Sequence, residues 1–260
     1  MESYSDFSKW YDEFMENAPY DEWFDFVKEI LHKNGITDGI LCELGAGTGN
    51  MTERFASIGF DMIGIDNSAE MLTVAEDKKS ASDNENIKKI LYLCQDMREF
   101  ELYGTVAAVL SFCDSINYVL EEDEVVETFK LVNNYLDPDG LFIFDFNTLH
   151  KYRDVIGDSV IAESGEEASF IWDNYFDEES GINEYEVTFF VPAEGEKQEG
   201  LYRKFSEYHY QKGYTLEEMK RFIEKAGLKF VTAYDADDFK DAKENSERIF
   251  IVAKESGKTI

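Results

Sequence analysis

The stretch ILCELGAGTGN, residues 40–50, decides the fold. An apolar run, Ile40-Leu41-Cys42, leads into Glu43, and glycine then recurs at Gly45, Gly47 and Gly49. A buried strand running straight into a glycine-dense turn and a helix is how α/β sheets bind nucleotides. Glycine takes backbone conformations closed to other residues and lets a ligand approach the main chain closely. Thr48, Asn50 or Thr52 is placed to cap the following helix, which runs on through Phe55 and Ile58. A dinucleotide fingerprint, G-x-G-x-x-G counted from Gly45, requires a third glycine at position 50, where the chain has Asn50. The pattern present is acidic-x-Gly-x-Gly-x-Gly, with Glu43 at the strand end.

Downstream, apolar strands alternate with helical periods. A helix over about 51–58 precedes the strand Phe60–Ile65, which ends on Asp66. An acid there offers two acceptor oxygens to the vicinal hydroxyls of a ribose. Asn67 with Glu70 supplies the cap of the next helix, which begins with Ser68, Met71 and Leu72, and so leaves Asp66 free for a ligand. A polar stretch, Lys78–Lys88, crosses to the strand Ile90–Cys94, followed by Gln95-Asp96-Met97. Val106–Ser111 is the next strand. FCDSINYVL (112–120) then places Asp114, Ser115, Asn117 and Tyr118 where the sheet opens. A helix from Asp123 to Leu136 ends at DPDG, and Gly140 starts the strand Leu141–Phe144, trailed by Asp145, Asn147 and Thr148. Five strands alternating with helices predict a parallel, doubly wound sheet with ligands at its carboxyl ends.

Two segments stand outside this alternation. Residues 4–34 read as two helices broken at Pro19, with Phe7, Trp10, Tyr11, Phe14 and Met15 in the first and Trp23, Phe26, Val27, Ile30 and Leu31 in the second. From about 158 to 211 the helical period is absent. The runs Ser169–Phe176, Glu184–Val191 and Leu201–Gln211, with turns at 178–181 and 194–200, predict three or four antiparallel strands over the sheet's open edge. Alternation puts Phe170 and Trp172 on one face, and likewise Tyr208 and Tyr210. Thr215 then caps a helix, Leu216–Lys225, stopped by Gly227, and the strands Leu228–Tyr234 and Glu247–Lys254 close the chain as a hairpin.

The glycine pattern with Glu43, Asp66 and Asp96 resembles the class I S-adenosylmethionine-dependent methyltransferases. The opening FSKWYDEFMENAPYDEW (7–23) is similar to that of a bacterial group of small-molecule-type methyltransferases. The resemblance implies a Rossmann-like, seven-stranded, mostly parallel sheet with helices on both faces, formed by residues 1–157 with 212–260. It leaves 158–211 as an inserted small antiparallel sheet, a lid on the substrate side. It implies S-adenosylmethionine as cofactor, held by Tyr11, Glu43, Gly45, Ala46, Gly47, Asp66, Asn67, Met71, Asp96, Met97 and Phe112. Tyr11 reaches over the amino-acid end, Asp66 takes the ribose, and Asp96 with the Met97 amide takes the adenine. Asn117, Tyr118 and Asp145 are expected to line the transfer site, with His209 as a candidate base beside His150. A nicotinamide oxidoreductase and a non-catalytic cofactor-binding protein are the competing readings.

Composition narrows the partners. The formal net charge of −31 opposes a nucleic-acid surface, which relies on lysine and arginine against phosphates. Cys42, Cys94 and Cys113 sit in apolar runs without metal-ligand spacing and read as small buried side chains of a reduced protein. The N-terminus is acidic, no apolar run reaches membrane-spanning length, and only the polar tail 254–260 lacks pattern. The expectation is a cytoplasmic protein, monomer or homodimer, acting on a small molecule away from membranes.

Overall fold

The computed structural model describes residues 7–165, 168–193 and 200–258. The chain opens with a 3-10 turn, Phe7–Lys9, and a single α turn, α1 (Tyr11–Phe14). Pro19 then precedes α2 (Tyr20–Lys33). The first of the two expected helices is thus two separate turns. Its aromatic residues face other elements rather than forming a self-sufficient helical stripe.

The elements β1 (Ile40–Leu44), α3 (Asn50–Ser57), β2 (Asp61–Asp66), α4 (Ala69–Ala81), β3 (Leu91–Cys94), β4 (Val106–Ser111), α5 (Glu122–Tyr135) and β5 (Leu136–Asn147) follow in the order read from the sequence. Strand β5 is longer than expected, because the DPDG turn is absorbed into its start with Asp139 at φ 65°. A six-residue π-helical turn, 151–156, comes next. The strands β6 (Val160–Ser164), β7 (Ser169–Asp177), β8 (Ile182–Pro192) and β9 (Tyr202–Lys212) then form a four-stranded antiparallel meander. The turn expected at 194–200 falls largely outside the described residues. Helix α6 (Leu216–Lys225) carries the capping box of Thr215 with Glu218, and β10 (Leu228–Asp235) and β11 (Arg248–Glu255) close the chain. The expected tail therefore begins later than residue 254: Glu255 is buried and accepts from the Asp139 and Lys258 amides.

The main sheet has the order β10-β11-β5-β4-β1-β2-β3, parallel except for β11, which runs antiparallel to both of its neighbours. Period-2 alternation divides its side chains between two layers. On β5, Phe142, Phe144 and Phe146 pack with α5 and α6, while Leu141 and Ile143 pack with α2 and α3. Both faces are thereby buried, as a parallel sheet requires. The chain leaves β1 toward β2 and β3 and returns to β4 and β5 on the other side. The carboxyl ends of β1 and β4 consequently flank the crevice in which such sheets bind ligands.

Cysteine placement differs from expectation. Cys42 is buried in β1, but Cys94 lies on the edge strand β3 and is exposed, and Cys113 lies in the loop after β4.

Candidate active site

The turn after β1 is drawn in by backbone bonds. The amides of Gly45 and Ala46 both donate to the Ile65 carbonyl, at 2.8 and 2.9 Å. Gly45 has φ +72°, and a Cβ there would lie 2.3 Å from Ser115 Oγ, so only glycine fits between the β1 and β4 loops. Helix α3 starts from Gly49 at φ 83° with no side-chain cap. The three expected caps are engaged elsewhere: Thr52 donates to Glu43, and Thr48 and Asn50 donate to Asp12 at 2.5 and 2.8 Å. Lys78 joins Asp12 at 2.9 Å and Asn50 at 2.8 Å, so the α1 turn is clasped to the glycine loop. Against the cost of burial, these three donors together hold the Asp12 carboxyl below its ordinary range.

Two acids at strand ends differ in state. Glu43 is buried, and loss of hydration raises its pKa to about 8 against the opposing bond from Thr52. Asp66 accepts from the Gly47 amide at 2.8 Å and the Ser68 amide at 2.8 Å. It is therefore tied to the loop rather than free, with one acceptor direction left on each oxygen. Burial raises its pKa and these amide bonds oppose the rise. The cap of α4 is Ser68, which accepts from the Met71 amide, not Asn67. At the end of β3, Asp96 receives Arg98 on both oxygens, and Arg98 also binds Glu124.

The loop after β4 is strained and deeply supported. Cys113 and Asp114 are left-handed, at φ 57° and 52°, a conformation that persists only where surroundings over-determine it. Asp145 supplies that support: buried, it accepts from the Asp114 amide at 2.7 Å and from Arg248 Nη1 at 2.7 Å, while Arg248 Nη2 donates to Asp114. Asn117 does similar work, donating to the Asn147 and Lys212 carbonyls at 2.9 and 2.7 Å and accepting from the Asn147 amide at 2.9 Å. Neither Asn117 nor Asp145 borders the cavity, which corrects the expectation that they line the transfer site.

That cavity, about 920 Å³, opens along the carboxyl edge. It brings together the remaining expected residues: Tyr11, Glu43, Gly45, Ala46, Gly47, Asp66, Asn67, Met71, Asp96, Met97, Phe112, Tyr118 and His209. Beyond Tyr118 its wall is the inserted sheet. Trp172 stacks on Tyr185 at 4.4 Å between centroids, and Tyr185 stacks on His209 at 4.8 Å. Tyr118 Oη lies 3.0 Å from His209 Nδ1 and 3.1 Å from Tyr185 Oη. Burial lowers the His209 pKa to about 4, so the imidazole is neutral at pH 7. On β9 Glu207, His209 and Gln211 are buried and Tyr208 and Tyr210 half exposed; His209, Gln211 and both tyrosines border the cavity. The N-terminal turns close the opposite side, with Phe7 and Phe14 packed on Phe189 at 4.8 and 4.7 Å. His150 pairs with Asp154 at 2.9 Å and stands outside the cavity.

Sequence reasoning missed Arg248, Lys151, Tyr152 and Gln211. Each lies on an element whose local pattern records strand or turn, not the cavity it reaches.

The residues fit a nucleoside with an amino-acid tail: a glycine loop that excludes a Cβ, an anchored carboxylate at the end of β2, and apolar Met71, Met97 and Phe112 bordering the same cavity. A family model described as a methyltransferase domain matches residues 41–140. The Bacillus subtilis (strain 168) protein named "Putative methyltransferase YqeM" is 37% identical over 99% of this chain and 98% of its own length. A crystal structure of an S-adenosylmethionine-dependent methyltransferase from Clostridium acetobutylicum superposes with TM-score 0.86 at 28% identity, covering 98% of this chain and 99% of that one. The S-adenosylmethionine-bound amino pentose methyltransferase of Micromonospora echinaspora shares the fold, with TM-score 0.72 and 17% identity over 93% of each chain.

Proposed function

The chain belongs to the class I S-adenosylmethionine-dependent methyltransferases, and on that premise we propose that it methylates a nitrogen or oxygen of a small-molecule acceptor held beneath the inserted sheet. The observation carrying this reading is the cavity's second half. It runs on past the cofactor residues into a chamber walled by Trp172, Tyr185, His209 and Tyr118. At about 920 Å³ the whole lies at the upper end of ligand clefts, which run to roughly 1,000 Å³, so it suits a cofactor and a second small molecule together. An aminosugar acceptor in a protein of the same architecture is consistent with a guest of that size.

S-Adenosylmethionine brings an already activated methyl group, so the chain's work is to hold, orient and exclude water. In this reading Tyr11, Glu43, Gly45, Ala46 and Gly47 receive the amino-acid end. Asp66 takes the ribose, with Asn67 and Met71 beside it, and the Met97 amide meets the adenine with Phe112 nearby. Asp96 contributes to the adenine only by sharing oxygens now given to Arg98. A histidine with a pKa near 4 is a poor proton acceptor. His209 therefore acts as a positioning residue, fixing Tyr118 against the acceptor, rather than as a base. The inserted sheet and the Phe7–Phe14 turns keep the chamber dry.

The test is methyl transfer from labelled S-adenosylmethionine to pools of small amines, amino acids, aminosugars and phenols, with bulk RNA and protein as comparison. Label should appear in a small-molecule pool. Binding of S-adenosylhomocysteine without transfer to any pool would identify a non-catalytic binder, and transfer to macromolecules alone would overturn the acceptor class.

A further inference from the structure

Among the described residues, three lysine or arginine side chains border the cavity, and two of them are paired with carboxylates. Arg98 holds Asp96 and Glu124, and Arg248 holds Asp114 and Asp145. The third, Lys151, is half-buried and directs its ammonium to one neutral acceptor, Asn147 Oδ1, at 3.0 Å. An ammonium has three donors. Two remain for the cavity.

The groups behind Lys151 form a chain of hydrogen bonds with one direction. Lys151 donates to Asn147, Asn147 Nδ2 to Tyr152 Oη at 3.0 Å, Tyr152 Oη to Gln211 Oε1 at 2.7 Å, and Gln211 Nε2 to Asp114 Oδ2 at 2.5 Å. Each link turns an acceptor toward the lysine and passes the polarity on to a carboxylate. The ammonium is thus stabilised at a distance, while no carboxylate caps it. Burial, followed by the repulsion of Arg248, lowers its pKa, as expected of a cation lacking a direct counter-ion.

We propose that Lys151 is an anion-binding residue for the acceptor, and that the acceptor is a small carboxylate. This rests on the methyltransferase reading above and deepens it. A carboxylate matches two spare donors on one cation. Asp114, Asp145 and Glu247 lie in the same surroundings, and a carboxylate monoanion meets about half the repulsion from them that a phosphate dianion would. The cofactor's own carboxylate is the wrong partner, because the glycine loop follows β1 and Lys151 follows β5, two strands away across β4. The stacked rings of Trp172, Tyr185 and His209 then hold the acceptor's apolar body.

The experiment titrates benzoate and benzamide, alike in shape and different in charge, into the chain saturated with S-adenosylhomocysteine. Benzoate is expected to bind about tenfold tighter, the scale of one charged hydrogen-bonded contact. Lys151→Gln should remove that preference and leave S-adenosylhomocysteine affinity unchanged. Equal binding of the two probes to the parent chain overturns the proposal without recourse to any variant. So does a preference that survives in the folded Lys151→Gln chain, and so does a selective loss of S-adenosylhomocysteine affinity in that variant, which would hand the lysine to the cofactor. If S-adenosylhomocysteine fails to bind the parent, the methyltransferase reading falls by itself. The same two probes in the free chain then still decide the subsite, a benzoate preference supporting it and equal binding overturning it.

Discussion

Asp66 and Glu43 show how one sheet edge holds two carboxyls in different surroundings. Asp66 accepts from the Gly47 amide on one oxygen and the Ser68 amide on the other, which fixes the carboxylate at the cavity's edge. Asp66→Ala should weaken S-adenosylhomocysteine binding by roughly ten- to a hundredfold, the loss of charged acceptors to two hydroxyls, read by calorimetry; unchanged affinity in a folded variant would displace the ribose from this residue. Glu43 has its pKa raised from 4.5 to about 8, so the folded state holds a proton that the unfolded state releases above pH 4.5. Its stabilising share is therefore complete below about pH 4.5 and is lost as pH rises through about 8. Glu43→Gln, which stays neutral, should gain on the parent in denaturant midpoint as pH rises across that window. His209 has the opposite sign: with its pKa lowered from 6.5 to about 4, it subtracts stability as pH falls through that range, in parent and variant alike.

At the scale of elements, the insertion and the N-terminal turns make one unit. The short α1 turn has no helical reason to persist alone, since isolated helices of a few residues are unstable in water. It persists because Phe7 and Phe14 close on Phe189, and because Asp12 is clasped by Thr48, Asn50 and Lys78. Phe189→Ala removes a buried ring from this small cluster, at a cost of about 3 kcal/mol. Amides of residues 7–15 should then exchange roughly a hundredfold faster, while those of β1, β4 and β5 keep their protection. Equal acceleration in the main sheet would show that the N-terminal turns and the main sheet open together.

For the whole molecule the net charge of −31 dominates. Many of the described ion pairs are exposed, as with Lys33 and Glu29, and pairs of that kind contribute little. Uncompensated self-repulsion is left to be screened by salt. The melting temperature should rise between about 10 mM and 0.5 M sodium chloride, over which the screening length falls from roughly 30 Å to a few ångströms; a flat response would show that the charges are locally balanced. The same field should keep the chain from retaining bulk RNA at physiological ionic strength, as a filter-binding assay would record.

The order of strands and helices, the glycine turn, the acids closing β1, β2 and β3, and the inserted antiparallel sheet were all legible in the sequence. Each is a local pattern, whether a period of two or 3.6, a backbone needing positive φ, or an acid placed where a strand stops. The partners of buried polar groups were not legible. Asp145 and Asn117 read as site residues because they follow strands at the ligand edge, yet they hold the strained turn at Cys113 and Asp114. Arg248, from the last strand, and Lys151, from a turn without periodicity, reach the cavity only because β11 inserts beside β5 and the chain folds back through β9. Such pairings join residues about a hundred positions apart. A charge finds its counter-charge through packing in three dimensions, which no local window of the chain records.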